Sequence, residues 1–504
     1  MNEKIREEST ENATETEIKE ISSDESQINQ KRKRVSQDLS EESKDILGTG
    51  SISMLLRKFA IPSVIAMLVG AMYNIVDQIF IGQGVGMLGN AATNVAFPIT
   101  TISLAVALLL GNGAASNFNL QMGRKNPKMA AKYVGNAITL MGLSGIALLA
   151  ITLLFMDQLL ILFGATDQVF EYAKTYMSIT AFGLPFIIFT SGGANLVRSD
   201  GSPQQSMFIM LAGAIINTIL DPLFIFVFDW GIAGAAWATV IGQFVSFLLI
   251  IKYFFGYKTV HLVKEVFVLK IECVTNILKL GVASFFNQVS MAFVQIIMNS
   301  TLRHYGELSI YGPDIPLASA GIITKINMMV FAIVIGIAQG SQPILGYNYG
   351  AKNYDRVKKT LRLAITYSVI ISATGFAFFQ LFPRQIIGVF GSGSEEYFAF
   401  ATKYLRIFMF MVFITPIQPI VATFFTSIGK AGKGFFMSLT RQVLFLAPLI
   451  IILPRFMGIE GVVFAGPIAD TAAVLITIFF LVQEIRIINK EIEIEKQKTV
   501  LGQE

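Results

Sequence analysis

Twelve stretches of roughly 20 apolar residues divide most of this sequence, and a helix of that length is what it takes to cross the core of a bilayer. They cover residues 56–80, 92–116, 131–156, 171–196, 205–228, 233–255, 275–301, 316–339, 358–382, 397–425, 434–454 and 459–483. Inside a membrane each backbone amide needs a partner within its own segment, so such runs must be helices. Only 14% of the residues are charged and 53% are hydrophobic, with 42 Phe and 20 Met. A soluble domain carries about 25% charge. The fold class is therefore an all-α polytopic membrane protein. Prolines at 62, 98, 185, 222, 416, 419 and 448 are expected to kink these helices rather than end them.

The formal charge of +5 suggests nucleic acid only until the basic residues are placed. Arg124, Lys125, Lys128 and Lys132 follow the second run, and Lys252, Lys258, Lys264 and Lys270 follow the sixth. Lys352, Arg356, Lys358 and Lys359 follow the eighth, whereas the alternate loops hold little beyond Arg303, Arg384 and Arg455. That alternation puts both termini in the cytoplasm of a cell membrane and supports an even helix count. No nucleic-acid partner is implied. Cys273 is the single cysteine, which rules out an intrachain disulfide and a cysteine metal site. Residues 1–50 are polar and acidic and read as a disordered cytoplasmic tail, with KRKR at 31–34 as a solvated basic patch.

The chain repeats itself. MGRKNPKMAAKYVGNAI from Met122 matches YGAKNYDRVKKTLRLAI from Tyr349, and FEYAKTYMSI from Phe170 matches FAFATKYLRI from Phe398. LVRSDGSPQQSMF from Leu196 matches FFTSIGKAGKGFF from Phe424, and GIAGAAWATVIGQ from Gly231 matches GIEGVVFAGPIAD from Gly458. Every pair is offset by 227 or 228 residues. An even number of helices per copy makes the copies parallel. The expected organisation is a tail (1–50), a six-helix lobe (51–255), a basic linker (256–274), a second six-helix lobe (275–486) and a cytoplasmic C-terminal tail (487–504). Two lobes in one chain fit a transporter that alternates access around a central site. Nothing resembles a selectivity filter.

Few ionisable residues lie deep in the predicted helices, and each is a functional candidate. The first half has Asp77 in helix 1 and Asp221 in helix 5, with no deep base to neutralise them. Asn217, four residues before Asp221, shares its helix face. Pro222 disturbs the backbone there, and Thr239 in helix 6 adds a hydroxyl. Two carboxylates, an amide oxygen and a hydroxyl suit a hard monovalent cation or a shared proton; the alternative is that the acids merely bind backbone at kinked helices. The second half has Lys325, Arg441 and Asp470, expected to form a structural ion cluster because an unpaired buried charge is expensive.

GKAGKG from Gly429 lacks the spacing of a phosphate-binding loop and reads as a turn. With only His261 and His304 and no catalytic motif, an enzyme is not expected.

These residues resemble the multidrug and toxic compound extrusion (MATE) family, in its MepA-like group on the DinF side. The resemblance rests on ILGTGSI before helix 1, YNIVDQIFIGQGVG, AATNVAFPI and QPILGYNYGAKNYDRVK after helix 8, and covers residues 46–486. It implies twelve helices in two lobes in a bacterial plasma membrane. It also implies export of bulky, often cationic drugs in exchange for Na+ or H+, with no cofactor and no other metal. DinF-type members couple to the ion through an N-lobe site whose positions here are Asp77, Asn217, Asp221 and Thr239, and the helix-1 proline that bends in some members matches Pro62. Helices 7 and 10, which carry acids in NorM-type members, have none here. Small-molecule drugs and membrane lipids are the expected partners, and a monomer the expected state. A lipid-linked oligosaccharide flippase of the same superfamily is the alternative, and a channel or sensor a more distant one.

Overall fold

The structure is a computed structural model that describes residues 46–390 and 394–500. The tail expected over residues 1–50 thus lies outside the described residues up to 45, as do the last four residues of the C-terminal tail. Two units make up the chain, divided between Ser51 and Ile52. Of the first, Ile46–Thr49 is a single helical turn, closed by the Gly50 amide donating to the Ile46 carbonyl at 2.9 Å.

The second unit carries all the apolar segments, and among the described residues it contains no strand. In order they are α1 Ile52–Gly84, α2 Met87–Gly123, α3 Pro127–Leu154, α4 Asp167–Ser199, α5 Pro203–Val227 and α6 Gly231–Phe255. After the linker come α7 Ile271–Glu307, α8 Asp314–Gly350, α9 Tyr354–Leu381, α10, α11 Ala431–Met457 and α12 Ile459–Val500. Eleven of these are long and apolar enough to cross a membrane as they stand. The exception is α10, where the unbroken apolar run over 397–425 suggested one helix. It consists of Glu395–Phe408 and Ile417–Ser427 with turns between. Pro416 and Pro419 punctuate that run, and each removes a backbone donor the helix would need. At the other end of the chain, α12 continues to Val500, so the described part of the segment read as a cytoplasmic tail is helical.

The duplication extends to backbone detail. Lys125 and Lys352, both in the G-x-K-N motif, hold left-handed φ values of 56° and 58°. Each follows a helix end closed in the same way: Asn126 donates to the Gln121 carbonyl at 2.9 Å, and Asn353 to the Asn348 carbonyl at 2.8 Å. This six-to-one bond is the Schellman closure, which needs a left-handed residue just before it. Short helices at Met156–Leu162 and Pro383–Gly388 also occupy matching places, after α3 and α9.

Between the halves the helices meet backbone to backbone. A methyl group on Gly281 of α7 would lie 1.7 Å from the Leu109 carbonyl oxygen of α2, and one on Gly113 would lie 2.0 Å from that of Ile277. On the other side, Gly336 and Gly340 of α8 would each meet an α1 backbone at 2.5 Å, at Val64 and Ala60. Small residues permit this approach, the usual means of helix association where lipid removes the hydrophobic drive. Polar bonds reinforce the seams: Gln342 to the Ser116 hydroxyl at 2.9 Å, Asn117 to the Asn276 carbonyl at 3.1 Å and Asn112 to the Ser284 hydroxyl at 2.9 Å. All of them lie toward the end of the bundle where the linker joins α6 to α7. That end is closed.

Gly281→Val is therefore expected to part α2 from α7, because overpacking of this kind costs about 1–3 kcal/mol. Cys273, fully buried one turn from Ile277, reports it: maleimide labelling should accelerate about tenfold or more, while Gly321→Val, which meets nothing within 4 Å, should not change it. Unchanged labelling of the Gly281 variant would show that the seam does not hold this end shut.

Candidate ion-coupling site

Helices α5 and α6 cross at two glycines, Gly213 and Gly242. A methyl group on Gly242 would lie 2.6 Å from the Gly213 carbonyl oxygen. The residues that follow Gly213 at four-residue intervals, Asn217 and Asp221, are thereby pressed toward α6, where Thr239 lies one turn from Gly242. The Asn217 amide donates to Asp221 Oδ1 and to Thr239 Oγ1, both at 3.3 Å. Immediately beyond, Pro222 cannot supply an amide proton, and the helix widens to a π-helical turn over Leu223–Val227. Such widenings often accompany functional sites.

Asp77 enters from α1 and faces Asp221 closely enough for the two carboxyl groups to interact. Asp221 is fully buried, and Asp77 is 9% exposed. The structure thus brings together all four residues singled out from the sequence. Three of their oxygens, Asp77 Oδ1, Asn217 Oδ1 and Asp221 Oδ2, are buried without a hydrogen-bond donor. Left unmatched, a buried acceptor costs about 1–3 kcal/mol. A cation placed among them could be shared by all three, a proton on one carboxyl would be shared with a second oxygen, and the set of oxygen acceptors suits a hard cation. Among the described residues no three His, Cys, Asp or Glu side chains gather in the manner of a metal cluster.

Two tyrosines complete the site and were passed over in the sequence. Tyr73, one turn before Asp77, and Tyr176 of α4 lie near Thr239 and both acids. Pro62 is elsewhere: it lies 15 residues from Asp77, about 22 Å along the helix. Helix α1 runs through it without interruption, and, one residue on, Ser63 Oγ donates to the Phe59 carbonyl at 2.8 Å.

The second half is organised differently. Arg441, in a π-helical turn of α11, donates through Nε to Asp470 Oδ1 at 2.5 Å, and Thr415 donates to Asp470 Oδ2 at 3.3 Å. The guanidinium also lies 5.2 Å from the Phe331 ring centroid. Both charges are buried. Lys325 stands apart from this pair. It is exposed on one face of α8 with Gly321, Thr324 and Met328, because the turn of the helix carries it away from the packed side that holds Ile322, Ile323 and Ile326. The expected cluster of three is a pair.

A family model, MatE, matches residues 62–223 and 283–452. The chain belongs to the MatE family. The two matched stretches fall one in each half and take in every residue of the acidic site except Thr239, and the Arg441 end of the ion pair. The multidrug export protein MepA of Staphylococcus aureus (strain MSSA476) is 27% identical over 424 residues, which is 83% of this chain and 90% of that protein. MepA of Staphylococcus saprophyticus is 26% identical over 423 residues, with the same two shares. Among solved structures, the outward-facing conformation of a multidrug resistance MATE family transporter of the MOP superfamily superposes with a TM-score of 0.82. It is 24% identical and covers 88% of this chain and 98% of that one.

Within this MatE fold the turns that close each half at the linker end are tied by a buried carboxylate, and the sequence did not reveal either. In the first half it is Asp200, which accepts from the Tyr253 hydroxyl at 2.7 Å, the Lys258 amide at 2.8 Å and the Thr259 amide at 2.9 Å. Burial pushes this carboxyl above the usual range even though these donors pull it down. In the second half it is Glu484 of α12, fully buried, which takes the ammonium groups of Lys430 and Lys433. GKAGKG, read as a plain turn, is where those lysines come from.

Proposed function

We propose that this protein is a secondary multidrug exporter that releases bulky, often cationic amphipathic compounds in exchange for Na+ or H+. The observation that carries this reading is the pair of facing carboxylates on α1 and α5, with unmatched buried oxygens and no cation from the protein beside them. A fold has no use for such a pair at rest; a transporter needs it to take up and release an ion. The MepA relatives support the choice of drugs as cargo, and the glycine seams support alternating access. In this reading the glycine seams shut the linker end, and with the basic loops on the cytoplasmic side the chain is outward-facing. Ion uptake at Asp77 and Asp221 then draws α1 toward α5, Pro62 provides the place where α1 yields, and drug and ion compete. The two lobes (51–255 and 275–486) rock as units, both termini stay in the cytoplasm, and the monomer is the working state.

The flippase alternative keeps only Lys325 as a cation to hold a pyrophosphate, since Arg441 is committed to Asp470. Ethidium transport in proteoliposomes, with a Na+ gradient and a H+ gradient imposed separately, tests the proposal. Saturable uptake against the drug gradient, driven by one of them, is expected. Transport under neither gradient, from folded protein, would overturn it.

A further inference from the structure

On the outside of the glycine seam between α1 and α8 is a groove of about 300 Å³, closed on its third side by α9. Its walls come from stripes of one face each: Ile61 and Ile65 on α1, Ile337 on α8 and Ile370 on α9. Ile61 is 55% exposed and Ile370 57%, so the groove opens sideways, toward where the bilayer must lie. Only one end is polar. There Arg57 and Tyr367 line it, and the Tyr367 hydroxyl lies 3.4 Å from Ser53 Oγ. Arg57 donates to the Ser53 carbonyl at 3.3 Å and to Ser53 Oγ at 3.1 Å, and has no carboxylate partner among the described residues.

We propose that this groove is a binding site for one anionic phospholipid, its acyl chain along the isoleucines and its phosphate at Arg57. The walls are apolar throughout and could hold any chain. The polar end selects, because a fixed guanidinium with two hydroxyls beside it offers donors in a fork that matches phosphate oxygens. The position agrees with the charge pattern, since this is the linker end, where the basic loops collect and where a cytoplasmic leaflet carries its anionic lipids. A drug molecule fits less well: the one charge at the groove is positive, and the cargo proposed above is cationic. The groove also adjoins Gly336 and Gly340, so an acyl chain there braces the seam that keeps this end closed.

Native mass spectrometry of the purified full chain, with phosphatidylglycerol or phosphatidylcholine of identical acyl chains, tests the site. Wild type should retain one phosphatidylglycerol with about a fivefold preference, the advantage expected of one basic residue at an anionic lipid surface. Arg57→Gln should abolish the preference and leave binding of both lipids. Ile61→Trp, which fills the groove at an exposed position, should lower retention of both. Lys58→Gln, exposed at the neighbouring residue but outside the groove, should keep the preference. Equal retention of the two lipids by wild type, or a preference that survives Arg57→Gln, would overturn the proposal, as would equal losses in the Arg57 and Lys58 variants. Displacement of the lipid by ethidium would assign the groove to the cargo instead, and would also overturn it.

Discussion

Asp221→Asn protein is expected to accumulate in the membrane like wild type, to unfold at a higher temperature, and to lose gradient-driven efflux to the level of empty vesicles. The two effects have one cause. An amide at this position still accepts from Asn217, but it neither takes a proton nor balances a cation, so uptake of the coupling ion no longer has a driving force. The same change removes a buried carboxylate that faces another carboxylate without a compensating charge, and such an unmatched group destabilises by about 1–3 kcal/mol. Function and stability should therefore move in opposite directions, the usual mark of a site kept under strain for its work. Asp77→Asn should behave alike, and Asp221→Glu should retain part of the transport, since it retains the charge. Thermal unfolding in detergent and ethidium efflux from the same preparations decide it. Wild-type efflux in either Asn variant would reject the site, and loss of efflux with a lower melting temperature would reduce it to a structural role.

The largest loss of stability should come from the other half. Arg441→Ala leaves Asp470 buried with only Thr415 as donor, and breaking a buried pair at one end costs about 3–5 kcal/mol. The double variant Arg441→Met with Asp470→Leu should recover most of it, because two apolar side chains of similar size demand no desolvation. Melting temperatures of the three proteins give the coupling energy directly. If the double variant also transports, the pair is structural and the ion works in the first half alone. A single variant as stable as wild type would mean that the carboxylate is not held by the arginine at all.

How much of this was legible from the sequence depended on distance along the chain. Length and apolarity reveal the spans, and the copies reveal each other because matching motifs recur at one offset. Asp77 and Asp221 stood out because a carboxylate in an apolar run has few explanations, and Asn217 followed from its spacing. Tyr73 stands in the same relation to Asp77, one turn earlier, but an aromatic residue in a membrane helix carries no such signal. Tyr176 had none at all. Lys430 and Lys433 lie more than fifty residues from Glu484, and no local pattern joins them. Lys325 was grouped with Arg441 and Asp470 on charge alone, and only the rotation of α8 separates it. The break in α10 was written in two prolines, but in an apolar run prolines mark a kink as readily as an end. The glycines of the seams look alike until a partner backbone is placed against them.

Those seams have an electrical meaning as well. Backbones that meet at Gly113, Gly281, Gly336 and Gly340 leave too little room even for a methyl group at those points between α2 and α7 and between α1 and α8. A membrane voltage falls across whatever part of a protein conducts least, and here that is the closed linker end. One elementary charge moved through 100 mV represents about 2.3 kcal/mol. An ion arriving at Asp77 and Asp221 from the opposite side would feel little of that field, and most of the voltage would act when the seams exchange, so turnover rather than ion affinity should follow the membrane potential.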